Sequence, residues 1–183
     1  MTQTSAVIRL PDWMAAWPMP AGRVSDEEAM KLAVAFSREN AARGTGGPFG
    51  AVIRSEPEGK IAAVGVNLVP ATGIPVFHAE VTAITLAGRA LDPRQPHTLF
   101  SSCEPCIMCL GASHWAGIVR IVSAALREDA EGIGFAEGSG VNELRAEMAG
   151  RGVKFESGLL REEAAKVLRN YRAGGGRMYG PAS

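Results

Sequence analysis

Two short clusters carry most of the chemistry legible in this chain: His78-Ala79-Glu80 and Pro105-Cys106-Ile107-Met108-Cys109. The two cysteines stand at i and i+3, so on a helix both project from one face of one turn. Pro105 suits a helix start, where its missing N–H costs nothing. A helix N-terminus stabilises negative charge and so favours thiolate over thiol. Two thiolates and one imidazole form a soft-to-borderline donor set that suits one catalytic Zn²⁺ per chain. Three protein ligands leave the fourth tetrahedral position open, the pattern of catalytic sites; structural sites have four protein ligands. Cys103, three residues before Cys106, is the candidate fourth ligand of a closed site. Glu80 weighs against closure. It shares the first helical turn with His78, close enough to serve a reacting water as proton carrier, and a purely structural site has no use for it.

These clusters must be positioned by a folded body. The 183 residues are 46% hydrophobic and 21% charged, the usage of one globular domain with a buried core. Lys+Arg and Asp+Glu are 19 each. Zero net charge argues against a protein held to nucleic acid by phosphate neutralisation. No run approaches the roughly 18–20 apolar residues of a membrane span. The start lacks a charged segment followed by an apolar one, so no signal peptide is read. Three cysteines, all between 103 and 109, make a poor disulfide framework and point to metal or redox chemistry. The expectation is a cytoplasmic protein.

Residues 1–24, with Trp13, Trp17 and three prolines, read as an irregular arm that packs its tryptophans on the body. Residues 25–183 read as a single catalytic domain. Ser25 and Glu28 form a capping box ahead of a helix over Asp26–Arg43. Phe49–Arg54 and Lys60–Val69 are β-rich runs around a turn, hence a hairpin. Pro70–Pro75 reads as loop and His78–Leu91 as helix. His97–Ser102 is a strand, Cys106–Ala116 a helix and Gly117–Leu126 a strand. Asp129–Gly140 is glycine-rich and mostly loop. Asn142–Ala149 reads as helix, Val153–Gly158 as strand, Arg161–Arg172 as helix. This order predicts an α/β fold: a three-layer α/β/α sandwich around a central mixed five-stranded sheet.

H-x-E followed by P-C-x-x-C is the pattern of zinc-dependent nucleobase deaminases. The chain resembles the cytidine deaminase superfamily and, within it, the bacterial guanine deaminases. The resemblance runs from about residue 25 to 180. It is carried by Gly46-Gly47-Pro48-Phe49-Gly50-Ala51-Val52-Ile53, Asn67, His78 to Ile84, Ser102 to Ala112, Trp115-Ala116 and Gly134-Phe135-Ala136-Glu137. Such proteins often carry an acid directly after Gly-Phe; here Ala136 stands there and Glu137 follows. The resemblance implies hydrolytic deamination of a free purine base, guanine to xanthine plus ammonia. Ammeline, guanosine and cytosine are neighbouring substrates, and a transfer-RNA adenosine deaminase uses the same zinc motif. A zinc-stabilised binding module without turnover is the reading from a different class.

By residue chemistry Asn67 is either a turn former or a reader of a ring carbonyl or N–H; the resemblance implies the reader. Phe49 and Trp115 either sandwich a planar base or belong to the core. Glu137 alone reads as a solvated carboxylate; by resemblance it accepts hydrogen bonds from the base and relays a second proton. Ala79 and Tyr179 join the substrate contacts on the same ground. The resemblance also implies a homodimer, with residues 173–183 a lid over an active site, often the partner's.

Overall fold

The computed structural model describes residues 7–88, 91–92 and 94–180. Residues 1–6 of the arm, 89–90 near the end of the expected helix His78–Leu91, and 181–183 of the tail lie outside the described residues.

The sheet has five strands: β1 (Gly50–Ser55), β2 (Lys60–Val66), β3 (His97–Cys103), β4 (Ile118–Ala125) and β5 (Lys154–Ser157). Their order is β2-β1-β3-β4-β5. β1 is antiparallel to both β2 and β3, while β3–β4 and β4–β5 are parallel, so the sheet is mixed. The hairpin explains the antiparallel edge, and the helical crossovers explain the parallel pairs.

Side chains alternate across the pleat and fill two separate cores. On one face Val52, Val66, Phe100 and Val122 pack against Met30, Val34 and Phe36 of α2 (Asp26–Ala42) and Leu168 of α8 (Arg161–Ala173). On the other, Ala51, Ile53, Leu99 and Ile121 meet Ala79 and Ala83 of α4 (Ala79–Ala87), Leu110 of α5 (Ile107–Trp115) and Met148 of α7 (Val141–Gly150). These are the three layers. α2 begins at its capping box: the Glu28 N–H donates to Ser25 Oγ at 3.2 Å, and the Ser25 N–H donates to Glu28 Oε2 at 2.7 Å.

Three short helices complete the described chain: α1 (Asp12–Ala15), α3 (Val69–Thr72) and α6 (Arg127–Glu131). α3 falls in the expected Pro70–Pro75 loop; Pro70 opens it and Gly73, at φ 69°, closes it. α6 takes the first residues of the expected Asp129–Gly140 loop, and β2 stops at Val66, short of Val69. His97 is buried at the first position of the central strand β3. Trp13 and Trp17 sit edge-on to each other at 5.8 Å and pack on Phe36 at 6.2 and 5.3 Å. No helix among the described residues is long and apolar enough to cross a membrane.

Candidate active site

His78 and Cys106 occupy the N-cap positions of α4 and α5, and neither side chain caps its own helix. Pro105 therefore sits just ahead of the cap. Both ligands are free to turn inward, and two helix N-termini direct their positive ends at one point. Cys109, one turn into α5, completes the set. Among the described residues, His78, Cys106 and Cys109 form the group of His, Cys, Asp and Glu able to hold a metal, their ligand atoms all within 4.8 Å of one another. Cys106 Sγ lies 3.6 Å from His78 Nδ1. This donor set, two sulfurs and one imidazole, fits zinc with a fourth position left to a non-protein ligand.

Cys103 does not join them. Its thiol donates to the Leu126 carbonyl at 3.6 Å, across the strand–helix junction. The strand carries it past the cluster, so the closed four-ligand site is not formed by these side chains.

Glu80 is buried beneath the cluster. Ser101 Oγ donates to its Oε1 at 2.9 Å, and the Cys109 thiol donates to its Oε2 at 3.3 Å. Burial, with the negative charge of Cys106 nearby, raises the Glu80 carboxyl above the ordinary carboxylate range. The Cys109 thiol hydrogen bond and the His78 imidazole bring Cys106 down to about 4, whereas that same pairing and burial raise Cys109. The site is therefore built to hold a thiolate at Cys106, while Cys109 keeps its proton until a cation displaces it.

These groups open on a cavity of about 640 Å³, within the usual range of small-molecule sites. Phe49, Phe135 and Met178 supply apolar wall, and Glu80, Glu104 and Glu137 supply carboxyls. Phe135 meets Phe49 and Tyr179 edge-on, each at 5.0 Å. Glu137 is buried, and burial together with the charges of Cys106 and Glu80 pushes its carboxyl up to about 8. Its carbonyl accepts the Ile107 N–H at 3.4 Å, which ties the glycine-rich loop to the start of α5.

The remaining expected contacts divide. Phe49, Glu137 and Tyr179 line the cavity. Asn67 lies just behind the wall, fully buried. Its Oδ1 accepts the Val69 N–H at 3.1 Å, while its Nδ2 has no partner, and neither does the buried hydroxyl of Tyr179. The Tyr179 hydroxyl and Asn67 Oδ1 lie over Gly47, where a Cβ would stand 1.8 Å and 3.0 Å from them. Ala79 is turned onto β2, its carbonyl 2.3 Å from where a Gly65 Cβ would be, and is not part of the wall. Trp115 is a correction: it is 88% exposed and absent from the wall. It stands nine positions beyond Cys106 along α5 and six beyond Cys109, which at about 1.5 Å of rise per residue puts its backbone roughly 13 Å and 9 Å along the axis from them. Phe135 takes the place beside Phe49 instead. Ser101, which holds Glu80, was not singled out in the sequence; its signal was a Ser-Ser pair directly after Leu99-Phe100 and just ahead of the cysteine cluster.

The tail folds back over the cavity of its own chain. The glycines at 174–176 permit the reversal, and the Tyr171 hydroxyl holds it by donating to the Arg177 carbonyl at 2.8 Å.

Residues 23–125 match the family described as the cytidine and deoxycytidylate deaminase zinc-binding region. A guanine deaminase of Bacillus subtilis is 44% identical over 114 residues, covering 61% of this chain and 72% of that one. A solved structure of the guanine deaminase from Nitrosomonas europaea superposes with a TM-score of 0.85 at 32% identity, over 94% of this chain and 99% of that one. Another, solved in complex with 2,6-diaminopurine, is 34% identical, covers 95% and 96% of the two chains and also has a TM-score of 0.85.

Proposed function

The chain belongs to the cytidine and deoxycytidylate deaminase family, and from that premise we propose that it hydrolyses free guanine to xanthine and ammonia. It is a zinc-dependent hydrolytic deaminase. The observation that carries the reaction class is the buried Glu80 carboxyl, hydrogen-bonded to Ser101 and Cys109 beside a three-donor metal set. Likeness to guanine deaminases over nearly the whole chain supports the substrate.

His78, Cys106 and Cys109 are the residues that would hold zinc, which when bound supplies Lewis-acid activation of water at neutral pH. Glu80 takes a proton from the attacking water and delivers it to the ring nitrogen beside C2. Its raised affinity for protons lets it carry the charge between the two positions. The same carboxyl then moves a second proton to the exocyclic amine, which leaves as ammonia. Glu137, with a pKa of about 8, accepts the N–H edge of the base and can exchange a proton at neutral pH. Because Oδ1 of Asn67 is committed to Val69, its Nδ2 is the side offered, so Asn67 reads an acceptor such as the ring carbonyl. Phe49 and Phe135 pack against the ring.

Zero net charge supports a small-molecule substrate over a transfer RNA. Free thiols at the three cysteines fit a reducing cytoplasm. We also read the assembly as a homodimer, supported by the exposed indole of Trp115, an apolar surface that a second copy would cover. Ammonia release from guanine, guanosine, ammeline, cytosine and transfer RNA tests the substrate. Release from guanine and none from transfer RNA is expected; preference for any other member overturns the assignment.

A further inference from the structure

We propose that Asn40, near the end of α2, is a positioning residue that acts on the reaction through Asn67. The inference rests on Asn67 reading the base.

Asn40 is fully buried, and both its amide hydrogens and its amide oxygen find partners. Nδ2 donates to the Gly47 carbonyl and to the Asn67 carbonyl, each at 2.8 Å. Oδ1 accepts from Thr45 Oγ1 at 2.8 Å, and that hydroxyl in turn accepts from the Trp13 indole N–H at 3.1 Å. One amide thus clips together the loop before β1 and the residue just beyond β2. These two segments are otherwise joined here by single backbone bonds: Gly47 N–H to Asn67 O at 3.3 Å and Asn67 N–H to Phe49 O at 3.0 Å.

The clip closes only because residue 46 is glycine. A Cβ there would stand 1.9 Å from the Asn67 carbonyl oxygen and 2.5 Å from Asn40 Nδ2. With its backbone held on both sides and its Oδ1 held by Val69, Asn67 is left one polar group without a partner, Nδ2. The amide is aimed before any ligand arrives, which lowers the ordering cost of binding. The clip reaches back through Thr45 to Trp13, so the N-terminal arm braces the same residue.

The test is a cycle of Asn40→Ser, Asn67→Ala and the double variant, read as kcat and KM for guanine with zinc content measured on each. Asn40→Ser loses two hydrogen bonds to carbonyls and is expected to raise KM about tenfold, with kcat and zinc content little changed. The double variant is expected to match Asn67→Ala alone, because a residue acting through another adds nothing once that one is gone. A KM for Asn40→Ser equal to the parent's, or effects that multiply in the double variant, overturns the proposal while leaving Asn67 in place. An unchanged KM for Asn67→Ala, or a parent that leaves guanine intact, strikes the underlying reading instead and this one with it. Should Asn40→Ser not fold, Thr45→Val takes its place: it frees Oδ1, and the Trp13 indole N–H with it, while leaving both Nδ2 bonds to the carbonyls. A KM rise of about threefold that vanishes in the Asn67→Ala background supports the clip, and a rise that persists there overturns it.

Discussion

Glu80 and the three cysteines show how burial and geometry divide like residues into unlike roles. Cys106 and Cys109 face His78, while Cys103, three residues earlier, gives its thiol to a carbonyl of the next segment. Replacing Cys106 by Ala is expected to abolish stoichiometric zinc and to lower the unfolding temperature, since metal affinity is folding free energy. Cys103→Ala is expected to keep one zinc per chain, as elemental analysis would show; loss of zinc there would restore the closed site. Glu80→Gln keeps the hydrogen bond with Ser101 but cannot move a proton. It should retain zinc while ammonia release falls by roughly 10²–10⁴-fold or more. The ligands and Glu80 were legible because their spacing encodes one helix turn. Trp115 was not, because a motif gives the order of residues along α5 but not how far the helix carries each from the site. Asn67 was half legible: its type suggested recognition, but which end of the amide is free depends on Val69, a contact made by the fold.

Elements were legible where their own chemistry declares them. The capping box of α2 and the hairpin turn are local signals, and the antiparallel edge of the sheet follows from the hairpin. α3 and α6, at four and five residues, are too short to show a period against their proline- and glycine-rich surroundings. What no periodicity shows is how elements are fastened. Asp26, at the start of α2, pairs with Arg54 of β1 at 2.8 Å and Arg120 of β4 at 2.6 Å. Arg120, which also pairs with Glu156 of β5, and then Arg54 hold the Asp26 carboxyl below its usual value. A carboxyl with a depressed folded pKa contributes stability that is complete above the ordinary value of 3.8 and is lost as pH falls below it, through the lower folded pKa. Asp26→Asn is therefore expected to cost ~1 kcal/mol or less near neutrality, given its partial exposure and solvent screening. In denaturant titrations across pH, the gap to the parent should close below about pH 4. A gap that stayed constant would mean the loss comes from the helix start rather than from the ion pairs.

For the whole molecule, the question is how a shallow end of a sheet becomes a cavity. The paired helix N-termini, the α3 segment from Val69 to Val76 and the glycine-rich loop build three sides, and the tail supplies the fourth. Met178 and Tyr179 are attached to the body by few interactions: the Tyr171–Arg177 bond, the edge-on contact with Phe135 and the seat over Gly47. The Tyr179 hydroxyl lies beside the Asn67 side chain, but neither it nor Asn67 Nδ2 has a partner at hydrogen-bond geometry, and such buried groups cost about 1–3 kcal/mol each. A ligand that satisfies them would relieve that cost, so tail closure and base binding should favour each other. A chain ending at Ala173 tests this. Zinc content should be unchanged, because no ligand lies beyond Cys109. KM for guanine should rise by about tenfold or more, as both the cover and its relieved strain are lost. Guanosine, which the closed cover would exclude, should gain relative to guanine. Identical steady-state constants for the two chains would show that Tyr179 merely rests on the site, and the fourth wall would have to come from elsewhere, a second copy being the first place to look.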